Sequence, residues 1–259
     1  LTVRHDLKST ALPTRKWGAF VPGTGVGGSG LHWTGVLIRP TPTDIKLKTY
    51  ADQAYAPGIL GEGMQIQDYP FTWDEIEPYL DKFDKICGLS GNTGNLNGQI
   101  LVGGDPFEGP RSNPYPLPAL EDTLNNSMFA DAARKLGYHP FPNPSANVSR
   151  AWTNPYGNQL APCNYCGYCS KYPCLNYSKA SPQTCVLDAL KRMDNFDYRV
   201  NANVLKVELH PDGKTAKGVT YADADGNTVF QPARIVVLAG FQFVNVRLML
   251  LSGIGKPYD

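Results

Sequence analysis

No stretch of this 259-residue chain stays apolar for the roughly 18 residues that a membrane-spanning helix requires. Excess charge of one sign is also missing. With 24 Lys and Arg against 23 Asp and Glu the net charge is +1, so there is no electrostatic reason to expect nucleic acid or an anionic membrane as the main partner. The start, Leu1-Thr2-Val3-Arg4-His5-Asp6, lacks the apolar core of a secretory signal. No Gly-Lys-Ser/Thr follows a glycine run, and no Gly-x-Gly-x-x-Gly sits between a clear strand and helix, so neither common phosphate fingerprint applies. Histidine is scarce. His5, His139 and His210 are isolated and carry no assigned chemistry, His139 merely following a helix end whose dipole favours it.

What is present is a core's worth of apolar residues, 42% of the chain, with 26 Gly and 22 Pro that point to loops and turns rather than a helical bundle. The chain opens on Leu1 and stops at Tyr258-Asp259 just after Gly-Ile-Gly-Lys-Pro, and both ends read as cut from a longer protein.

The densest signal is Gly23-Thr24-Gly25-Val26-Gly27-Gly28-Ser29-Gly30-Leu31-His32-Trp33-Thr34-Gly35, approached by the apolar stretch Arg15–Pro22. Removing side chains from a run of backbone lets N–H groups approach a large anion such as a dinucleotide's pyrophosphate. His32 and Trp33 then offer a nucleophilic nitrogen and a flat apolar surface beside a planar ring system. A flexible surface turn is the plain alternative, but such turns rarely end in an apolar Leu-His-Trp.

Prolines and glycines between Arg39 and Pro70 break any periodicity, and that segment reads as loop. Thr72–Gly88 reads as a helix: Thr72 can cap, Glu75 stands three residues on, and Gly88 can end it. Ile76, Tyr79, Leu80, Phe83, Ile86 and Cys87 form its expected apolar face. Asp74, Glu75, Glu77, Asp81 and Asp84 are expected on its solvated face. Residues 89–118, irregular and rich in Gly, Asn and Pro, suggest a lid, a subunit contact or a linker. A second helix is expected at about Leu120–Leu136, closed by Gly137.

Cys163, Cys166, Cys169 and Cys174 place four of the six cysteines in twelve residues, spaced C-x2-C-x2-C-x4-C. Three thiolates at two-residue gaps can wrap one compact soft centre, as in bacterial ferredoxin runs, and the longer last gap leaves open whether Cys174 is a ligand. Zinc accepts four thiolates but usually meets two separated pairs, and disulfides between such close neighbours would be strained. The order of preference is iron–sulfur, then disulfide, then zinc. Cys87 and Cys185, in apolar contexts, read as buried core thiols.

In the final third, residues 198–209, 218–222 and 229–231 form a three-stranded antiparallel meander. Arg234-Ile235-Val236-Val237-Leu238-Ala239-Gly240 follows as a strand buried on both faces of a parallel sheet, and then a helix at Phe243–Ser252. Ligands of open α/β sheets bind beyond the carboxyl ends of strands, which makes Ala239 and Gly240 candidates for close approach to a cofactor.

Together Gly-Val-Gly-Gly-Ser-Gly-Leu-His-Trp, the meander, Ile-Val-Val-Leu-Ala-Gly and Leu-Met-Leu-Leu-Ser-Gly-Ile-Gly-Lys-Pro resemble the glucose-methanol-choline (GMC) oxidoreductase family of FAD flavoproteins. Cys87–Gly91, Pro106–Ser112 and Tyr177–Thr184 add to the likeness, which covers nearly the whole chain and is closest to the large subunits of gluconate 2-dehydrogenase-type enzymes. The resemblance implies an α/β (α+β overall) fold, an incomplete FAD/NAD(P)-binding-type domain with a parallel sheet and a β-meander, plus an irregular cap region. Residues 1–45 and 186–259 would belong to the FAD-binding domain, 46–160 to the cap or substrate domain, and 161–185 to a Cys-rich loop. It implies FAD held by Gly25, Gly27, Gly28, Ser29, Gly30, His32, Trp33, Val204, Ala239 and Gly240, with His32 as a covalent flavin anchor. It implies hydride transfer from a sugar, sugar acid or other alcohol to FAD, with electrons passed to other carriers rather than to a nicotinamide, and the cysteine loop read above would then be an iron–sulfur relay among them. It also implies a small subunit, a cytochrome c subunit, and a periplasmic location on the membrane through those partners. The general base would lie beyond Asp259. The rival readings are an electron-transfer or metal module built on the cysteine loop alone, and a non-catalytic interaction fragment using 89–118.

Overall fold

Three threonines decide where helices begin in the computed structural model of the chain, which describes residues 2–3, 12–13, 22–61 and 63–256. Thr41 starts α1 (Pro42–Ile45), which runs on to α2 (Leu47–Ala54), and Thr72 starts α3 (Trp73–Cys87). In both cases the threonine hydroxyl accepts from the backbone three residues on while that residue's carboxylate accepts from the threonine N–H. Thr123 starts α4 (Leu124–Lys135) with a hydroxyl-to-Asn126 cap, so this helix begins four residues later than its apolar pattern suggests. The apolar approach at Arg15–Pro22, apart from Pro22, and His5 lie outside the described residues.

Two expectations change here. Arg39–Pro70 is not all loop, because Pro42 occupies the first helical position, where its missing N–H costs nothing. On α3 the carboxylates Glu77, Asp81 and Asp84 are buried while Tyr79 is 68% exposed, so the face expected to be solvated is turned inward. For Glu77 and Asp84 the cause is long-range ion pairing, while Asp81 pairs with Lys85 one turn on. Arg39 reaches Glu77 at 3.0 Å and Asp84 at 2.7 Å, and Arg111 also pairs with Asp84. Asp74 and Glu75 are exposed as expected.

The chain divides into two units, Leu1–Asp194 and Asn195–Asp259. In the first, β1 (Thr2–Val3) pairs with β2 (Leu12–Pro13), β3 (Asn95–Leu96) with β4 (Gln99–Ile100), and β5 (Trp152–Thr153) with β6 (Gln159–Leu160), all antiparallel. Its centre is the stretch 144–148. Leu37 N–H donates to Pro144 and Ala146 N–H to Gly35, Ser90 and Ser145 exchange backbone bonds, and Ala180 N–H donates to Ala146. Around this crossing pack Leu89, Leu117, Ala146, Val148, Leu160 and Ala180. Cys87 and Cys185 are buried in the same core, as expected of structural thiols. Residues 89–118 are not a free lid or linker: Leu89, Ser90, Glu108, Arg111, Tyr115 and Leu117 are all buried. A π-helical turn (Gln183–Leu187) leads into the short α5 (Asp188–Leu190) and closes this unit.

In the second unit β7 (Asn203–Leu209), β8 (Ala216–Ala222) and β9 (Thr228–Pro232) form the expected meander, ordered β7-β8-β9, followed by α6 (Gln242–Leu251). Ser252 ties α6 to the sheet, its Oγ accepting from Val207 N–H and donating to the Leu248 carbonyl. Arg234–Gly240 has no strand partner among the described residues, and Ile235 and Val237 are 81% and 80% exposed. The expected two-sided burial is therefore absent, since a strand needs a neighbour's N–H and C=O groups and none of the described strands runs beside it. The sheets described are antiparallel, so the secondary structure is mixed α and β without the parallel sheet.

Candidate cofactor and thiol site

The glycine stretch folds into a tight turn. Gly28–Leu31 make one 3-10 turn, entered through Gly27 at φ 91° and Gly28 at φ 54°, a region that favours glycine. Gly28 N–H bonds to Gly25 O, Gly30 N–H to Gly27 O, and the Ser29 hydroxyl accepts from Gly23 N–H at 2.9 Å. Glycines here have separable reasons. A Cβ on Gly23 would lie 2.4 Å from the Gly28 backbone, one on Gly30 3.0 Å from Pro182, and one on Gly35 2.5 Å from Asn147 Oδ1. Gly25 differs from these, because its Cβ would meet nothing within 4 Å.

His32 follows the turn with its Nε2 buried and without a hydrogen-bond partner. Trp33 is pinned by its indole N–H to the Ala180 carbonyl at 2.9 Å. It faces an apolar cavity of about 350 Å³ shared with Leu37, Ile86, Cys87, Cys185 and Val186. The paired thiols at its edge have opposed tendencies: the hydrogen bond to Cys185 and burial push Cys87 up, while the hydrogen bond from Cys87 holds Cys185 below the ordinary thiol value.

The cysteine loop is tied directly to this turn. Lys171 N–H donates to the His32 carbonyl at 3.0 Å. Lys179, only 1% exposed, spans both loops, its Nζ donating to Trp33 O at 2.6 Å and to Cys169 O and Tyr172 O at 2.8 Å. Burial lowers its pKa against the opposing pull of the Cys169 and Cys174 thiols. Asn147, on the central 144–148 stretch, points Nδ2 at Cys169 Sγ (3.0 Å) and Cys163 Sγ (4.0 Å).

All six cysteines are free thiols. Cys163, Cys169 and Cys174 are half-buried and Cys166 is exposed. Among the described residues no three His, Cys, Asp or Glu side chains stand close enough together to hold a metal ion.

The structure thus joins Gly27–Trp33 to the Cys163–Cys174 loop within the first unit. Val204 on β7, with Ala239 and Gly240 after Leu238, belongs to the second unit, where Gly240 N–H and the Leu238 carbonyl are both held by the Asn245 side chain. Sequence reasoning missed Lys179, Asn147 and Gln183, the last donating to the Val26 carbonyl at 3.0 Å. Lys179 and Gln183 do fall inside the Tyr177–Thr184 run, but a lone Lys in a polar run carries no sign of burial.

Residues 67–259 match the family model described as GMC oxidoreductase. The chain belongs to the GMC oxidoreductase family. It is 48% identical, along its whole length, to the gluconate 2-dehydrogenase flavoprotein of Pantoea cypripedii, covering 43% of that protein. It is 24% identical over 88% of its length to the fructose dehydrogenase large subunit of Gluconobacter japonicus, covering 37% of it. To the 2-methyl-1,2-propanediol dehydrogenase of Mycolicibacterium austroafricanum it is 27% identical, covering 36%. The GMC chain therefore spans less than half the length of these relatives.

Proposed function

We propose that this chain forms part of an FAD-dependent dehydrogenase that oxidises a CH–OH group of a sugar acid, sugar or related alcohol. Family membership and the gluconate 2-dehydrogenase relative support the class. The observation that carries the site is the buried, partnerless Nε2 of His32 at the end of the glycine turn. A buried imidazole nitrogen without a partner is costly unless a ligand supplies one, and a neutral imidazole is a competent nucleophile near neutral pH. Gly25, with open space where its Cβ would be, fits the close approach of a cofactor.

His32 would hold the flavin through its methyl carbon, that carbon's hydrogen leaving as a proton and two electrons passing to the ring system and on to its acceptor. Gly25–Gly30 would present backbone, and Trp33 an apolar wall. FAD held there would supply a hydride acceptor for the carbinol carbon, and an iron–sulfur centre would supply one-electron transfer. The soft donors Cys163, Cys166, Cys169 and Cys174 suit such a centre. Cys163 and Cys169 already converge on one Asn147 donor, and closure of the set would accompany metal binding.

On the same reading Arg234–Gly240 joins a parallel sheet built with segments outside these residues, and Val204, Ala239 and Gly240 line the FAD site. A small subunit and a cytochrome c subunit take the electrons at the periplasmic face of the membrane. Acid denaturation of the full-length protein tests the anchor: the flavin stays with the precipitated chain, and His32→Ala releases it. Complete release from the unaltered protein would refute covalent attachment.

A further inference from the structure

The C-terminal end of α3 and the π-helical turn Gln183–Leu187 are held side by side by one hairpin. Trp152, which opens β5, donates its indole N–H to Lys85 O at 2.9 Å. Asn154, 3% exposed, donates from its amide nitrogen to Ile86 O at 3.1 Å and to Cys185 O at 2.7 Å, and its Oδ1 accepts from the N–H groups of Tyr156 and Asn158. Asn158 adds a bond from Nδ2 to Thr184 O at 3.3 Å. The last carbonyls of a helix have no partner within it. Here they are taken by side chains that also grip the turn, so residues 85–86 and 184–185 are fixed against each other.

Cys87 and Cys185 stand on this clamp. Both are buried, their side chains are hydrogen-bonded to each other, and both line the apolar cavity of about 350 Å³ beside Trp33. Among the described residues no third His, Cys, Asp or Glu joins them in a group able to hold a metal ion. A disulfide needs Cβ atoms about 3.5–4.5 Å apart and side chains aimed at one another. Hydrogen-bonded thiols are so aimed, the clamp restrains the backbones that carry them, and the cavity leaves room for the side chains to rotate. A π-helical turn is also an uncommon element that recurs at functional positions, and here it is what carries Cys185.

We propose that Cys87 and Cys185 are an oxidisable pair that closes to a disulfide, tying α3 to the turn that follows the cysteine loop and fixing the wall of the Trp33 cavity. The co-reactant is a disulfide-bearing thiol oxidant. Cys185, the more acidic thiol of the two, attacks one sulfur of that disulfide and expels the other as a thiol. Cys87 then attacks the Cys185 sulfur of the mixed disulfide and expels the second thiol. One S–S bond is made and one broken: the protein thiols lose two electrons and two protons, and the oxidant leaves as two thiols. The bridge closes the long loop from 87 to 185, which removes conformational freedom from the unfolded chain. Neither flavin nor metal takes part, so the pairing stands apart from the cofactor readings above.

Peptide mapping of the full-length protein tests it. Reduced protein is equilibrated with oxidised glutathione in sub-denaturing urea, so that burial does not shield the pair, then alkylated and digested. The expected product is a cross-linked peptide pair containing Cys87 and Cys185, two hydrogens lighter than the separate peptides and lost on reduction. The thermal midpoint should rise on oxidation by about 5 °C or more. Cys185→Ala should abolish both the cross-link and its share of that rise, and where this variant fails to fold, the map of the unaltered protein decides by itself. Recovery of Cys87 and Cys185 as separately alkylated thiols after oxidation, or cross-linking of either one to the Cys163–Cys174 loop instead, would overturn the proposal.

Discussion

Two buried cationic clusters sit in the first unit, and they are balanced differently. Around Asp84 the charges match in kind: Arg39 bridges Glu77 and Asp84, and Arg111, fully buried, pairs with Asp84 and stacks 3.7 Å over the Tyr115 ring. Glu108 completes that group by accepting from Gly94 N–H at 2.6 Å and Asn95 N–H at 3.1 Å. Around Lys179 the ammonium nitrogen meets, among the described residues, only carbonyl oxygens and thiols. The first cluster finds its counter-charges within the chain, with Arg111 Nη1 left 3.7 Å from Glu108 and without a hydrogen-bond partner, and it holds α3 against 108–112. The second leaves a buried lysine beside the cysteine loop with no carboxylate partner among the described residues.

The largest effect should come from breaking the first cluster. Asp84→Ala leaves Arg39 and Arg111 buried, with Glu77 and the more distant Glu108 as remaining counter-charges, and should cost about 3–5 kcal/mol of stability. Urea unfolding of the full-length protein would show it as a lower midpoint at unchanged slope. A loss below about 1 kcal/mol would mean that the cluster is not the clamp described.

A medium effect separates glycines that shape the fold from one kept open for a ligand. Gly35→Ala puts a methyl onto Asn147 Oδ1 at a φ of 84°, and should cost about 1–3 kcal/mol while moving the Asn147 donor off Cys169. Gly25→Ala meets no atom within 4 Å and should leave the thermal midpoint nearly unchanged while lowering flavin content. Equal flavin loading in Gly25→Ala and the unaltered protein would remove Gly25 from the cofactor site.

The same contrast shows what was legible in the residues. The ends of α3 were readable because capping is local: Thr72, Glu75 and Gly88 act within a few residues. Its buried face was not, because its partners Arg39 and Arg111 come from 38 and 27 residues away along the chain. Apolar periodicity ranks Glu77 and Asp84 as solvent-facing whenever their counter-charges are unknown. Pro42 misled for the opposite reason, since a breaker in a helix interior is a starter at the first position. The meander was recoverable from alternation, while Arg234–Gly240 illustrates a strand-like pattern without a strand partner in the described chain. At the site, glycine and cysteine spacing pointed to two loops. That they are one assembly depends on Lys179, Lys171 and Asn147, whose contacts no spacing rule encodes.

The smallest effect concerns protons in the first cluster. Burial pushes the Glu77 carboxyl up, but the Ser112 N–H at 3.0 Å and the Arg39 guanidinium outweigh it and hold the pKa below the ordinary value. An unfolded chain therefore takes up the proton more readily than the folded one, so this stabilisation is complete above the ordinary glutamate range, roughly pH 4.3, and fades as pH falls through the lower folded value. Glu77→Gln can still accept from Ser112 and Arg39 through its amide oxygen but has no proton to gain. Its stability at neutral pH should fall by about the amount that the unaltered protein loses on protonating Glu77, while its own decline below about pH 4.5 becomes shallower by at most one proton, about 1.4 kcal/mol per pH unit. Parallel acid limbs for the two proteins would show that Glu77 is not a group whose protonation weakens the Arg39 pairing. A comparably shallow limb in Lys179→Met would erase the distinction between the clusters, because Lys179 faces no carboxylate that could titrate in that window.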